Sequence, residues 1–260
     1  MKGLYNEIVV KILIKSILFF CFLAGGFAVH AAEKPISKTF TIGTEDIEDF
    51  RPYSEYKKRE FRGLGRAILD AFAKKQGYHF IYKTYPIKRR DRMFIAGELD
   101  FSYPDNPYWV ADLKKNLPVK YVKMLEFTDG ALVLPENIGK GVDRVKILGM
   151  PLGFTPFPYA DLIKSGAIRL LESPNYESLY YQLGNHKIDA AYVDIRVAAY
   201  FLSHGDKQNK PKYVYDPSLP HISDYFHLSS FKEPKVLDEF QDFMNRNPAL
   251  IEKLKKEYDF

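Results

Sequence analysis

The sequence is poor in cysteine and in the short motifs that signal common enzyme chemistries. Cys21 is the single cysteine, and it lies in an apolar N-terminal run. Without that run the chain has no cysteine, so neither a disulfide nor thiol chemistry is open to it. The sequence also has no Gly-x-Ser-x-Gly, no phosphate-binding loop and no His-Glu-x-x-His. It therefore carries no motif for a serine hydrolase, a P-loop NTPase or a zinc protease.

Signals for nucleic acid and for metal are also weak. The formal net charge is only +5, and the basic clusters at 57–59 and 88–90 are short and interrupted or bordered by acids. Such clusters are typical of solvated faces, so we expect no nucleic-acid partner. No histidine pairs with another histidine or with cysteine at metal-ligand spacing, and we expect no metal and no cofactor. The histidines beyond the N-terminal run are His79, His186, His204, His221 and His227.

The N-terminus has the three-part layout of a secretory signal. A lysine-containing start precedes an uncharged apolar run, residues 17–29, and small residues follow it in VHAAE. We predict a signal peptide at 1–32, cut after Ala31 or Ala32, and a periplasmic protein. The alternative is an uncleaved anchor, because residues 8–14 are also largely apolar. Cleavage would remove three lysines and one glutamate, which leaves a formal charge of +3.

The first half of the remaining chain alternates strands and helices. FTIGTED (40–46) predicts a strand, and GLGRAILDAFAKKQG (63–77) predicts an amphipathic helix that ends at Gly77. A strand follows at 78–86, then a short helix that ends at Gly97 and another strand at 99–103. The order β-α-β-α-β is typical of an α/β domain with a parallel sheet.

The second half repeats this order and also repeats a motif. Its strands are predicted near 145–155, 168–173 and 187–194, and each is followed by a helix. ELDFSYPD (98–105) and KIDAAYVD (187–194) share the pattern Asp-x-x-Tyr-x-Asp at the same place in the two units. Ligands of open α/β sheets bind at the carboxyl edge of the strands, where both motifs end. We therefore predict two similar lobes that face each other across a cleft.

Two extended segments connect these predicted lobes. The chain leaves the first lobe through TDGALVLPENIG (128–139) and returns through 213–230. Two C-terminal helices follow, and Pro248 lies in the first turn of the second. We place lobe 1 at 33–128 plus 226–260 and lobe 2 at 129–225, with the C-terminal helices packed on lobe 1.

The ordered set of segments resembles the bacterial extracellular solute-binding proteins of family 3, the periplasmic receptors that usually deliver amino acids to ABC importers. The resemblance covers about residues 38–258. It rests on five segments: FTIGTEDIEDFRPYS, FRGLGRAILDAFAKKQGYHFIY, AGELDFS, DAAYVDIRVAAYFL and FMNRNPALIEKLKKEYDF. It implies an α/β protein with the two-lobed type II periplasmic-binding-protein fold, in which each lobe is a mostly parallel sheet flanked by helices and two crossover strands form the hinge.

The resemblance also implies site residues. In the family an Asp of the second lobe takes the ligand's α-ammonium, and Asp194 matches it by position. In the family an Arg at the end of a Thr-Pro-x-Arg stretch clamps the α-carboxylate. In this chain Asn106 stands near the Thr position, and Trp109 stands where the Arg is expected. Trp cannot form the paired hydrogen bonds of a guanidinium, so a cationic or aromatic solute suits these residues better. Arg51, Arg62 or Arg89 could still substitute for the clamp.

The remaining candidates flank the predicted cleft, and each has a structural alternative. Asp105 repeats Asp194 in the first lobe, and either Asp could simply cap the segment that follows. Trp109 could form an aromatic wall or pack the lobe. Gly153 and Thr155 stand at a strand-to-helix turn that could hold an anion or remain without a ligand. The other candidates are Tyr53, Glu45, Asp46, Tyr103, Tyr192 and Arg89.

Three functions are consistent with these residues. The first is a monomeric periplasmic binding protein that captures a small polar solute by hinge closure, for an ABC permease or a membrane sensor. The second is an enzyme on the same scaffold, such as a cyclohexadienyl or arogenate dehydratase-like lyase, with Glu45, Asp105 or Asp194 as an acid/base group. The third is a free-standing sensory module. Fold alone does not separate them.

Overall fold

The computed structural model of the chain describes residues 38–204 and 213–260. The predicted signal peptide lies outside these residues. So does Gly205, where the helix predicted after the strand at 187–194 is expected to end. Within the described ranges no helix is long and apolar enough to cross a membrane.

The first α/β unit forms as its apolar pattern predicts. Strand β1 (Thr39–Glu45) lies between β4 (His79–Tyr85) and β5 (Phe101–Asp105) and pairs with both in parallel. Helix α1 (Leu64–Gln76) buries one apolar face and ends at Gly77, whose φ of 72° gives a left-handed cap that glycine adopts readily. Helix α2 (Ile87–Ile95) connects β4 to β5.

Two short elements of this half were not predicted. Strands β2 (Glu55–Lys57) and β3 (Glu60–Arg62) form an antiparallel hairpin between β1 and α1. Helix α3 (Ala111–Lys114) is a single turn after β5. Both are too short for a periodic pattern to develop, which is why the sequence reads as irregular there.

The second unit has the same order. Strand β7 (Ile147–Pro151) pairs in parallel with β8 (Arg169–Ser173) and with β9 (Ala190–Asp194). The connecting helices are α4 (Ala160–Lys164) and α5 (Tyr176–Gly184), and α6 (Ile195–His204) follows β9. Asn175 caps α5 by accepting a hydrogen bond from the backbone N–H of Ser178 at 2.8 Å.

The repeated Asp-x-x-Tyr-x-Asp motif makes equivalent contacts in the two units. Asp100 accepts a hydrogen bond from the backbone N–H of Thr41 at 2.8 Å, on the strand beside it. Asp189 accepts hydrogen bonds from the backbone N–H groups of Lys146 and Ile147, both at 2.8 Å. In each copy the first Asp therefore ties the start of its strand to the parallel neighbour.

Two long strands join the halves. Strand β6 (Lys120–Val133) pairs with β11 (Ile222–Ser230) in an antiparallel ladder, and β6 continues against β9. Within the described residues the sheet has nine strands in the order β4-β1-β5-β11-β6-β9-β7-β8, with β10 (Val214–Tyr215) against β6. The predicted lobe boundaries at 128/129 and 225/226 fall inside these two strands. They remain a prediction.

The C-terminal helices cover the first half. These are α7 (Pro234–Arg246) and α8 (Pro248–Glu257), each with proline in its first turn. Phe72 of α1 contacts the rings of Phe240 and Phe243 at centroid distances of 5.1 and 5.5 Å. The tail therefore packs on helix α1 of the first half.

Candidate functional site

A cleft opens between the carboxyl ends of the strands of the two halves. Its deeper part, the inner cavity, has about 440 Å³ of empty space, part of which is open to solvent. Loops after β1, β5 and β7 and the two crossover strands form its walls. The lining residues are Glu45, Phe50, Ile87, Asp91, Pro104, Trp109, Asp129, Gly153, Phe154, Thr155 and Phe226.

The inner cavity is acidic and aromatic. It has three carboxylates, and among the described residues no Lys, Arg or His lines it. Trp109 packs against Phe226 and Phe127 at centroid distances of 5.9 and 6.2 Å, and Phe127 stacks on Phe226 at 4.5 Å. Phe50 of the first half meets Phe154 of the second at 6.2 Å. Aromatic faces and carboxylates together favour a positively charged group.

The guanidinium of Arg90 already has partners for four of its five N–H groups. Arg90 is completely buried beneath the cavity floor. Its Nη1 donates to Glu45 Oε1 and to the Pro104 carbonyl, both at 2.7 Å, and its Nε and Nη2 donate to Asp91 Oδ1 at 3.0 and 2.7 Å. Burial nevertheless raises the pKa of Glu45 to about 7, although the charge of Arg90 opposes that shift.

Two further carboxylates meet on the crossover strand. Asp129 of β6 is directly opposite Asp194 of β9 in the antiparallel register, so the two side chains lie on the same face of the sheet. They are 5% and 0% exposed. Burial raises the pKa of both carboxyls, and for Asp129 the charge of Asp194 raises it further. Asp194 Oδ1 accepts from the backbone N–H of Val197 at 2.8 Å, and its Oδ2 lies 3.1 Å from the Tyr53 hydroxyl.

A larger outer cavity lies toward the mouth of the cleft. It has about 1660 Å³ of empty space, including open solvent, and it shares Ile87, Gly153 and Phe154 with the inner cavity. Two of its bases are paired. Arg51 bonds Asp49 at 2.5 and 2.7 Å, and Lys88 bonds Glu172 at 2.8 Å. The third base of its lining is Lys57, and five acids stand beside these three bases: Asp46, Glu48, Asp49, Glu55 and Glu177.

Several contacts cross the cleft and hold it closed in this conformation. Lys88 of the first half pairs with Glu172 of the second. Tyr108 stacks on Phe157 with centroids 4.5 Å apart, and the guanidinium of Arg51 lies 4.8 Å from the ring centre of Tyr200. Gly153, at φ +93°, comes so close to Ile87 that a Cβ atom there would lie 3.0 Å from that of Ile87.

Five of the sequence-predicted site residues line the cleft. Glu45, Trp109, Gly153 and Thr155 face the inner cavity, and Asp46 faces the outer one.

Two other candidates lie just behind the inner cavity. These are Tyr53 and Asp194, which bond to each other. Asp194 therefore contacts the site through its neighbours and also caps α6.

The remaining candidates are engaged elsewhere. Asp105 forms a buried ion pair with Lys114 at 2.9 Å and accepts from Ser229 at 2.5 Å. Asn106 Nδ2 donates to Asp224 at 2.8 Å and so ties its loop to β11.

Tyr103, Tyr192 and Arg89 do not line the cavities either, although the Tyr192 hydroxyl bonds Asp129. Tyr103 is buried against α1, where a Cβ at Gly65 would lie 2.4 Å from its ring. Tyr192 packs edge-on against Tyr159 with centroids 5.7 Å apart. Arg89 is exposed and its guanidinium lies 5.1 Å from the Tyr85 ring centre.

Sequence reasoning did not select Asp129, Asp91 or Arg90. Asp129 had a recognisable signal, because it is an acid directly before the apolar run GALVLP of the crossover strand. Arg90 shares a helix face with the buried Phe94, four residues on, whereas Arg89 does not. No group of three or more His, Cys, Asp or Glu in the described ranges is arranged to hold a metal ion.

Comparison with solved structures identifies the fold. A periplasmic binding protein of an arginine transport system from Legionella pneumophila superposes with a TM-score of 0.66 at 16% identity, covering 85% of this chain and 100% of that one. A substrate-binding protein of an ABC uptake transporter from Streptococcus pneumoniae, solved with histidine, gives 0.64 at 17% identity, covering 85% and 92%. An ancestral amino-acid-binding protein described as a precursor of cyclohexadienyl dehydratase gives 0.62 at 16%, covering 85% and 95%.

The chain has the two-lobed type II periplasmic-binding-protein fold. The predicted fold class is thereby confirmed, including the two crossover strands. At identities of 16–17% the likeness extends to the fold alone. No family model and no curated protein sequence matches the chain.

Proposed function

We propose that this chain is a periplasmic solute-binding protein that captures a small organic cation by closing its two lobes. The observation that carries the proposal is the composition of the inner cavity, which has three carboxylates, four aromatic rings and no lining cation among the described residues. The fold neighbours that bind arginine or histidine support a small polar solute. The predicted signal peptide supports the periplasm, and an ABC permease or a membrane sensor is the expected partner.

The absence of an available guanidinium narrows the solute class. An α-amino acid needs a partner for its carboxylate, and the strongest such partner is a guanidinium that forms two parallel hydrogen bonds. Arg90 is the guanidinium beneath the cavity, and four of its N–H groups are taken by Glu45, Asp91 and Pro104. The solute is therefore an amine or another organic cation without a carboxylate beside its positive charge.

The aromatic wall supports the same class. Trp109 is half-buried and faces the cavity beside Phe226. A cation over such a ring is stabilised by about 0.5–2 kcal/mol. Trp109→Ala should therefore weaken an amine by about 2- to 30-fold. Tyr181→Ala, at an aromatic residue that is 69% exposed on α5, is the control.

Pairs of compounds that differ only by a carboxylate test the proposal. The measurement is a thermal-shift comparison of phenethylamine with phenylalanine and of agmatine with arginine, using residues 33–260. A ligand at 100 times its Kd adds about 2.7 kcal/mol, which is roughly 5–10 °C for a chain of this size. The amine of each pair should stabilise the protein more. Stabilisation by the amino acids alone would show that another group binds the carboxylate and would overturn the proposed class.

A lyase remains the second candidate because Glu45 lines the cavity with a pKa raised to about 7, which suits an acid/base group at neutral pH. A ring-containing carboxylic acid as substrate would again need a cation for its carboxylates. Incubation with prephenate or arogenate, followed by ultraviolet detection of the aromatic product, separates this candidate from a receptor. Turnover that Glu45→Gln abolishes would favour the lyase.

A further inference from the structure

Resting on the function proposed above, we infer that Asp129 is the counter-charge for the solute's cationic group, and that its carboxyl gives up a proton when the cation binds. Asp129 lies on the crossover strand β6, between the two halves. The residue that meets the solute's charge would thus belong to the hinge itself.

The three carboxylates of the inner cavity are not equivalent. Glu45 and Asp91 both pair with Arg90, at 2.7 Å each. Asp129 is only 5% exposed, yet it forms no ion pair with a Lys, Arg or His of the described residues. Buried carboxylates are almost always paired, because an isolated charge is strongly disfavoured away from water. Among the described residues, Asp129 is therefore the cavity carboxylate for which the protein supplies no positive charge.

The surroundings of Asp129 add negative or neutral groups rather than a cation. From β9, Asp194 lies opposite it and the Tyr192 hydroxyl hydrogen-bonds to it. Ile222 of β11 is its apolar partner on the other side. Glu45 of β1 and Tyr176 of α5 also act on it electrostatically, and Tyr176 has a buried hydroxyl without a hydrogen-bond partner among the described residues. Arg196 acts on this pair through Asp194, and its guanidinium lies 4.1 Å from the Phe260 ring centre.

These neighbours explain why the exchange involves a proton. Two opposed carboxylates that share a buried site cannot both ionise readily, and burial raises the pKa of Asp129 well above its ordinary value. In the free protein these neighbours therefore favour the protonated form of the carboxyl. When an ammonium group enters, the O–H bond breaks, the proton leaves to solvent and the carboxylate pairs with the ammonium. The charge in the cavity stays the same, so neither state leaves an unpaired buried charge.

Calorimetry on the whole chain from residue 33 tests this exchange without any variant. Agmatine and phenethylamine are titrated at pH 6.0 in buffers of different ionisation enthalpy. The observed binding enthalpy is plotted against the ionisation enthalpy of the buffer, and the slope gives the number of protons released. We expect close to one proton per bound amine. We also expect the affinity to rise by up to about tenfold per pH unit below the pKa of the free carboxyl. Amine binding with no proton release would overturn the inference and leave the proposed function standing.

The variant Asp129→Asn gives a second, independent readout. It should lower amine affinity at pH 8 by at least about tenfold, because the neutral amide cannot pair with the cation, and it should abolish proton release. Asp238→Asn, which removes an exposed carboxylate of α7, is the matched control and should retain wild-type binding. Unchanged amine affinity in Asp129→Asn would remove Asp129 from the site. If neither amine binds the wild type, the proposed function and this inference both fail.

Discussion

The two copies of the repeated motif end in aspartates with opposite surroundings. In the first copy, Asp105 is buried and pairs with the buried Lys114 at 2.9 Å, and Ser229 bonds its other oxygen. In the second copy, Asp194 is buried beside another carboxylate, Asp129, and has no ion pair among the described residues. The same sequence pattern therefore forms a neutralised structural cluster in one half and an electrically incomplete one in the other.

In the proposed function, this difference separates a structural role from a binding role. A buried acid with its own lysine needs nothing from outside the protein, whereas a buried pair of acids becomes complete only with a proton or a cation. The first half thus holds its loop in place through the motif, and the second half holds the charge that a solute can balance. Each half can be changed separately, and the largest effect should come from the buried ion pair of the first half.

Removing the lysine of the first copy should destabilise the protein most. Lys114→Met leaves Asp105 buried without its cation, and breaking a buried pair from one side costs about 3–5 kcal/mol. The free energy of unfolding from urea titration measures the loss. The double variant Lys114→Met with Asp105→Asn should recover most of it, because no charge is then left unpaired. A loss below about 1 kcal/mol in the single variant would show that this pair is not a structural requirement.

Removing Asp129, the carboxylate opposite the second copy's Asp194, should have the opposite sign. At pH 8 and without ligand, Asp129→Asn should stabilise the protein by about 1–3 kcal/mol, the usual penalty of an uncompensated buried polar group. The stabilisation should grow with pH, because the wild-type Asp129 must ionise beside Asp194 as pH rises, whereas asparagine stays neutral. Thermal unfolding of both proteins from pH 5 to pH 8 measures it. Destabilisation at every pH would contradict the assignment of an unpaired charge.

The stability of the wild type should itself depend on pH because of these buried carboxyls. The pKa of Glu45 is raised to about 7, and those of Asp129 and Asp194 are also raised. Their unfolded values are near 4, so the folded state binds more protons between about pH 4 and pH 7. Stability without ligand should therefore fall as pH rises through that window. An amine at saturating concentration should flatten the curve, and a flat curve without ligand would exclude these shifts.

Closure of the cleft should be sensitive to the close approach of Gly153 and Ile87. Gly153→Ala places a Cβ 3.0 Å from that of Ile87 and also strains the backbone at φ +93°, so we expect amine affinity to fall by about tenfold and stability by about 1 kcal/mol. Gly139→Ala is the matched control, because Gly139 has φ +71° but no atom within 4 Å of the added Cβ. It should lose stability alone. Equal losses of affinity in both variants would show that backbone strain, not the contact across the cleft, is responsible.

The sequence predicted the fold better than the site for a physical reason. Strands and helices such as β1 and α1 follow from local periodicity, and the register of two α/β units follows from their order. Which acid faces the cavity depends on long-range partners. Asp105 looked equivalent to Asp194 until Lys114, nine residues on, was found to pair with it, and no local pattern distinguishes Asp129 from an ordinary strand residue except its apolar flanks.

Arg90 illustrates the same limit at a single step of the chain. Sequence reasoning selected Arg89 as a substitute clamp, and the two arginines are identical in type and adjacent. Helix geometry turns them about 100° apart, so Arg90 is buried between Glu45 and Asp91 while Arg89 stays exposed. The direction of the helix relative to the sheet decides which of the two is buried beneath the cavity.

The smallest effect should come from the ion pair that crosses the cleft mouth. Lys88 and Glu172 lie 2.8 Å apart, but their side chains are 55% and 33% exposed, and such pairs contribute about 0–1 kcal/mol. Lys88→Met should weaken amine binding by less than about fivefold at low salt, because closure loses one exposed contact. In 0.5 M salt the difference from wild type should vanish, since exposed charges are screened there. A larger loss that persists in high salt would mean that the mouth of the cleft, and not the buried pair at the hinge, sets the affinity.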